Sequence, residues 1–232
     1  MKILGIDFET TGLDPQKDRI TEVGLVLWDA NTTQPVRISG FLVKTPAPVS
    51  AEISHLTGIT NEMLETYGVE PLAATKAILG MVAPADFICA HNGTEFDKLF
   101  LAAECQRQGF KPPVLPWIDT RTDLPLEAYQ RGKSASLKYM ACDFGFVYPA
   151  HRAVNDVLAM LEILGRFDVT EVAKRSQIPN VSVRAVVSYD DRLLARERGY
   201  HWKPEQKLWV RTMKADLIDA EKEKAPFPVV VM

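Results

Sequence analysis

The run Ile3-Leu4-Gly5-Ile6 leads directly into Asp7-Phe8-Glu9. An apolar run of this kind at alternating spacing predicts a strand, and alternation then puts Asp7 and Glu9 on one face at its end. Two carboxylates side by side repel unless something positive neutralises them. The chain must therefore fold so that other groups, or cations, meet this strand end. Two later stretches supply further acids. His91-Asn92-Gly93-Thr94-Glu95-Phe96-Asp97 closes a short apolar strand and enters an amphipathic helix that carries Asp97. His151-Arg152-Ala153-Val154-Asn155-Asp156 lies in or beside another helix. Ligands that are all oxygen favour Mg²⁺ or Mn²⁺ over zinc. Each acid alone has a plainer reading: Asp156, for example, is as readily the i,i+4 partner of Arg152.

The remaining signals set the architecture. Lys2–Phe8, Ile20–Trp28 and Val36–Val43 read as three strands, the last two separated by a polar turn. Short helices are expected around Ser50–Leu56, Asn61–Tyr67 and Pro71–Met81, the second capped by Thr60 or Asn61. Asp86–Ala90 is a short strand, a helix runs from near Thr94 to Gln108, and Trp117-Ile118-Asp119 is the last strand of the sheet. Helices over Ser136–Asp143 and Arg152–Phe167 complete the body. Antiparallel strands followed by strands alternating with helices predict an α/β fold with a mixed sheet.

The three acidic stretches, in this order and spacing, resemble the exonuclease motifs of the DnaQ-like, or DEDDh, 3′→5′ exonucleases. The resemblance covers roughly residues 1–167. Asp97 stands six positions after His91, one more than in many bacterial members, a spacing that resembles the TREX branch. The resemblance implies a ribonuclease H-like mixed sheet flanked by helices. It also implies two ions, Mg²⁺ or Mn²⁺, with Asp7 bridging them. Glu9 and Asp156 would complete the site of the ion that activates the nucleophile, and Asp97 would act on the second. His151 would be the general base, a task its ordinary pKa near 6.5 suits. Thr10, Gly12 and Leu13 would hold the terminal nucleotide, with Gly12 permitting close backbone approach. His55, Leu56 and Ile59 would pack on the terminal nucleoside, and Asn92 would lie near the scissile bond.

Beyond the body, Asp168–Ile178 reads as a connecting helix ending at Pro179. The expected division is 1–167 nuclease domain, 168–179 linker, and 180–232 a small α+β strand–helix–hairpin module with a C-terminal tail. In the module Val181–Val187 is a strand and Asp190–Arg198 a helix. Tyr200–Trp202 and Leu208–Arg211 form a hairpin. The phrase around Gly199, Trp202 and Trp209 resembles modules found beside nucleic-acid-handling domains. The net charge of −3 hides an asymmetry, because residues 180–214 carry 8 basic and 4 acidic residues. That suits either a phosphate-binding surface or an ordinary solvated face.

Three cysteines with no Cys-x-x-Cys pair point to reduced core thiols, no zinc site and a cytoplasmic setting. No apolar run approaches the ~20 residues of a membrane span. The N-terminal run is too short for a signal peptide. The function expected is 3′→5′ hydrolysis of DNA ends. An exoribonuclease of the same chemistry, and a non-catalytic DNA-end- or polymerase-binding subunit, stand as alternatives. A homodimer and a polymerase partner are both open.

Overall fold

The computed structural model of the chain describes residues 1–126 and 136–232. A five-stranded sheet runs in the order β3-β2-β1-β4-β5. Its strands are β1 (Lys2–Thr10), β2 (Ile20–Asp29), β3 (Gln34–Leu42), β4 (Phe87–Ala90) and β5 (Trp117–Asp119). β1 pairs antiparallel with β2 and parallel with β4. The sheet is therefore mixed and flanked by helices, as expected.

Alternation along β1 sorts its side chains into two cores. Leu4, Ile6 and Phe8 point into one, with Ile78 and Met81 of α3 (Pro71–Val82) and Phe100 and Leu101 of α4 (Asp97–Arg107). Ile3 belongs to the other, with Val157, Met160, Leu161 and Leu164 of α6 (Ala153–Leu164) and Leu137 and Met140 of α5 (Leu137–Asp143). Each fully buried aliphatic or aromatic side chain contributes about 1.5–3 kcal/mol, so these layers fix where the helices lie. The parity matters for the site. Asp7 and Glu9 share the odd face with Ile3, the face that α6 covers.

The second helix carries its expected cap, and the first has a side-chain cap as well. The Ser50 side chain accepts from the Ile53 N–H at the start of α1 (Ala51–Thr57), and Gly58 ends it at φ +73°. Thr60 caps α2 (Asn61–Tyr67) through the Met63 N–H. Asp168 does the same for α7 (Val169–Ser176), accepting from Thr170 and Glu171.

A second sheet has the order β7-β8-β6-β9. It comprises β6 (Asn180–Ala185), β7 (His201–Lys203), β8 (Leu208–Lys214) and β9 (Val229–Val231), with α8 (Arg192–Glu197) and α9 (Ile218–Lys224) between them. The C-terminus was expected as a tail, but it pairs antiparallel with β6. Two prolines hid the strand: Pro226 and Pro228 read as loop, yet only Val229–Val231 enters the ladder. The module has its own core of Val183, Ala185, Ala195, Tyr200, Met213, Phe227 and Val229. Trp202 and Trp209 face each other across the hairpin with ring centroids 5.8 Å apart. Trp209 packs on that core, while Trp202 is 46% exposed.

Cys89 and Cys105 are buried as expected of core thiols, but Cys142 is exposed near the end of α5. Among the described residues, no helix is long and apolar enough to cross a membrane.

Candidate active site

Asp7, Glu9 and Asp156 each present an oxygen within 4.8 Å of the others. Two come from alternate positions on β1 and the third from the first turn of α6. Asp97 approaches from the opposite side, at the first turn of α4. It is buried and stands outside that close set, because its Oδ1 accepts the Phe8 N–H at 3.0 Å. The backbone amide between Asp7 and Glu9 is thus tied to the fourth acid.

The electrostatics are those of acids crowded without a counter-charge. Burial, then the charges of Asp97, Asp156, Glu9 and Glu22, push the Asp7 carboxyl well above the usual carboxylate range. Burial and the Asp156 charge raise Glu9 to about 7. Burial raises Asp97 to about 8, against the lowering effect of the Phe8 N–H. Asp156 is raised by burial although Tyr148 donates to it. A divalent cation among these oxygens would remove the repulsion, and the all-oxygen donor set fits Mg²⁺ or Mn²⁺.

Three residues that sequence reasoning missed hold this arrangement. The Tyr148 hydroxyl donates to Asp156 Oδ1 at 2.8 Å, and the Arg152 N–H to Oδ2 at 3.1 Å. The Arg152 guanidinium does not pair with Asp156. It turns to Glu22 on β2, with Nη2 2.8 Å from Oε1. Glu22 also accepts the Ala153 N–H at 3.0 Å, so one buried carboxylate pins the start of α6 to β2. Glu22 lies directly across from Glu9 in the ladder. The partners are 130 residues apart, which no local pattern could announce. Glu22→Ala should lower the melting temperature, because it leaves the Ala153 N–H and the guanidinium without their acceptor. The expected loss is about 2–3 kcal/mol, or roughly 4–12 °C for a chain of this size. Circular dichroism melting checks it, and a shift below a degree would show that the pin is idle.

His151 is exposed and sits at φ +65°, beside Asp156's helix. Asn92 has the same φ of +65°. Left-handed backbone at non-glycine residues costs about 1–3 kcal/mol and gathers where a site needs it. Among the described residues the other two, Thr33 and Lys207, are in hairpin turns.

The residues expected to hold a nucleotide divide in two. Leu13 is 84% exposed and Leu56 55%, and His55 is exposed beside it. Gly12 lies against the Asp18 carboxylate, where a Cβ would come within 2.4 Å of Oδ2. The Thr10 hydroxyl donates to the Gly12 carbonyl at 2.6 Å, which fixes this turn. Ile59 differs: it is wholly buried with Leu42, Val49 and Leu64. It lies in a small core against which Ile53 of α1 packs, and offers no surface. The Asn92 side chain accepts from Arg121 Nη1 at 2.6 Å.

The exonuclease family's sequence profile matches residues 4–164, and this chain belongs to that family, with the DnaQ-like 3′→5′ motifs described above. A domain of unknown function matches residues 181–232. The PolC-type DNA polymerase III of Thermotoga maritima is 33% identical over 183 residues, 76% of this chain but 12% of that protein. The epsilon subunit of DNA polymerase III from Treponema pallidum is 28% identical over 162 residues, 68% of this chain and 72% of its own length. The chain thus spans 8–13% of the length of the PolC-type relatives it matches. Among solved structures, E. coli Exonuclease I in complex with a dT13 oligonucleotide has a TM-score of 0.67 at 17% identity. That likeness covers 84% of this chain and 50% of the other. The nuclease domain of 3′hExo, a DEDDh family member bound to rAMP, has a TM-score of 0.58 at 23% identity, covering 71% of this chain and 90% of that domain. These likenesses are of fold.

Proposed function

We propose that this exonuclease is a metal-dependent 3′→5′ exodeoxyribonuclease that shortens single-stranded or frayed DNA ends and releases nucleoside monophosphates. The convergence of Asp7, Glu9 and Asp156 oxygens within 4.8 Å, with Asp97 behind them, carries the reading. A site built only to bind DNA would gain nothing from gathering acids against an anionic strand.

Asp7, Glu9 and Asp156 would hold one divalent ion, and Asp7 with Asp97 a second. Bound there, such ions lower the pKa of water and offset charge on the reacting phosphate. The protein's own part is orientation. Tyr148 and the Arg152 N–H aim Asp156, and the Phe8 N–H aims Asp97. His151 takes a proton from the attacking water on a ring nitrogen, as a group exposed at the site's edge can. Leu13 and Leu56 offer apolar contacts for the terminal base, with Gly12 and Thr10 shaping the turn beside it.

DNA is favoured over RNA because the relatives with the higher identity are DNA polymerases. An exoribonuclease remains the second reading, motivated by the rAMP bound in the 3′hExo nuclease domain. A polymerase partner is proposed on the strength of the same relatives. We also propose residues 1–167 as the nuclease domain, 168–179 as linker and 180–232 as a separate module.

Matched 5′-labelled DNA and RNA oligonucleotides test the proposal. The expected result is a ladder receding from the 3′ end, faster on DNA, that needs Mg²⁺ or Mn²⁺ and stops in EDTA. Cuts within a circular strand would remove the terminal-nucleotide pocket from the account. Full activity in EDTA would remove the metal.

A further inference from the structure

Two buried carboxylates lie behind the His91–Thr94 loop and have no part in the proposed metal site. Asp119 ends β5 and is 2% exposed. It accepts the N–H groups of Asn92 at 2.8 Å, Thr94 at 3.1 Å and Arg121 at 3.0 Å, and the Thr94 hydroxyl at 2.9 Å. Asp123 lies four residues on, and its Oδ2 accepts the Asp119 N–H at 2.7 Å. Its Oδ1 accepts from the Thr122 hydroxyl at 3.1 Å and stands 2.6 Å from the Lys214 ammonium. Lys214 belongs to β8, the central hairpin strand of the C-terminal module, and is itself 2% exposed. It also donates to the Ile178 carbonyl at 3.0 Å.

The chain of contacts continues forward. The Gly93 carbonyl accepts the Lys98 N–H at 2.9 Å, in the opening turn of α4 that carries Asp97. A continuous polar path therefore runs from the module through Asp123 and Asp119 to the loop, and from the loop to the fourth acid. An ammonium taken fully out of water is a poor way to glue two domains, since well-packed apolar residues do so as well or better. Its better-attested use is to fix one arrangement against others. Without the Lys214 charge, the buried Asp123 carboxylate would keep the Asp119 N–H and the Thr122 hydroxyl but lose its ion-pair partner.

We propose that Lys214 is a positioning residue through which the C-terminal module holds the His91–Thr94 loop, and with it Asp97, in working order. The claim rests on the reading of Asp97 as a metal ligand.

The test compares full-length Lys214→Met, Lys214→Arg and Asp123→Asn with the parent. Amide hydrogen exchange is read in metal-free protein for residues 91–97 and, as a reference, for residues 23–28 of β2. Lys214→Met should speed exchange in 91–97 about ten-fold or more while β2 stays within about two-fold, a local opening rather than global loss. It should raise the Mn²⁺ concentration for half-maximal cleavage of a 5′-labelled trinucleotide about five-fold or more, as loss of a supporting hydrogen bond does at metal sites. Circular dichroism at the assay temperature must show each protein folded, because an unfolded fraction alone also raises the apparent Mn²⁺ requirement. Lys214→Arg should keep both values near the parent's. If Lys214→Met does not fold, Asp123→Asn carries the same expectation, because it keeps an acceptor for the Asp119 N–H while removing the ion pair and the acceptor of the Thr122 hydroxyl. Equal change in both segments with an unaltered Mn²⁺ requirement would make Lys214 merely structural and overturn the proposal, as would failure of both variants to fold. The exchange measurement needs neither substrate nor metal. An inactive parent protein with a locally opened loop in Lys214→Met would therefore defeat the nuclease reading and leave the tie standing.

Discussion

Asp7→Asn is expected to reduce hydrolysis by on the order of 10³-fold or more, the scale for losing a central group that acts with its neighbours as a unit. The same change should make the metal-free protein more stable. Burial and four neighbouring acids hold the Asp7 carboxyl far above its ordinary range, and Glu9 and Asp97 are raised to about 7 and about 8. These are acids whose folded pKa lies above the unfolded value near 4. Between those values the folded state keeps protons that the unfolded chain releases, so stability falls as pH rises. In EDTA the parent should therefore melt lower at pH 8 than at pH 5. Asp7→Asn should flatten that slope and melt a few degrees higher than the parent at pH 8, where about 1 kcal/mol corresponds to roughly 2–4 °C. Calorimetric melting at the two pH values, with a nuclease assay in Mn²⁺, decides it. A variant that loses activity and stability together at pH 8 would mean that Asp7 is a structural residue with no repulsive cluster around it.

That outcome depends on features legible in the chain to different degrees. The strand ending in Asp7-Phe8-Glu9 was readable because alternation is local: once Ile3, Gly5 and Asp7 share a face, Glu9 must join them. The helix carrying Asp156 was readable from its own periodicity, and Ser50, Thr60 and Asp168 announce helix starts by their chemistry. What could not be read was set by contacts between distant segments. Glu22 looked like one polar residue in an otherwise apolar strand, and only the meeting of β2 with α6 gives it Arg152 and the Ala153 N–H. Asp119 read as the end of a strand, because its four donors come from a loop and a turn that the sequence does not place beneath it. Ile59 is a nucleoside contact only by the family resemblance, yet Gly58 ends the helix before it and Ile59 is wholly buried. The last strand was lost to its flanking prolines. Local chemistry, in short, located the acids, and tertiary register supplied the groups that aim them.

The register itself rests on an atom that is missing. Gly24 is paired with Asp7 across the β1–β2 ladder. A Cβ there would come within 2.3 Å of the Ala153 carbonyl carbon, 2.5 Å of its oxygen and 2.6 Å of the Val154 nitrogen. All three are backbone atoms at the first turn of α6, so no side chain can swing aside. Gly24→Ala must push that turn away from β2, and with it the Glu22 pin, His151 and Asp156. Forcing atoms into a packed contact costs about 1–3 kcal/mol and sometimes more, which lowers the melting temperature by roughly 2–12 °C. Displacing a reacting constellation by about 1 Å can cost on the order of 10²-fold in rate, so activity should fall further than the lost stability explains at a temperature where the variant is folded. Gly80 supplies the control. It lies in α3, and a Cβ there meets nothing within 4 Å. Gly80→Ala should leave activity unchanged and add about 0.5–1 kcal/mol through helix propensity alone. If Gly24→Ala keeps the parent's rate and melting temperature, α6 is free to shift without consequence, and the acids at its start are not held to the geometry on which the proposed chemistry depends.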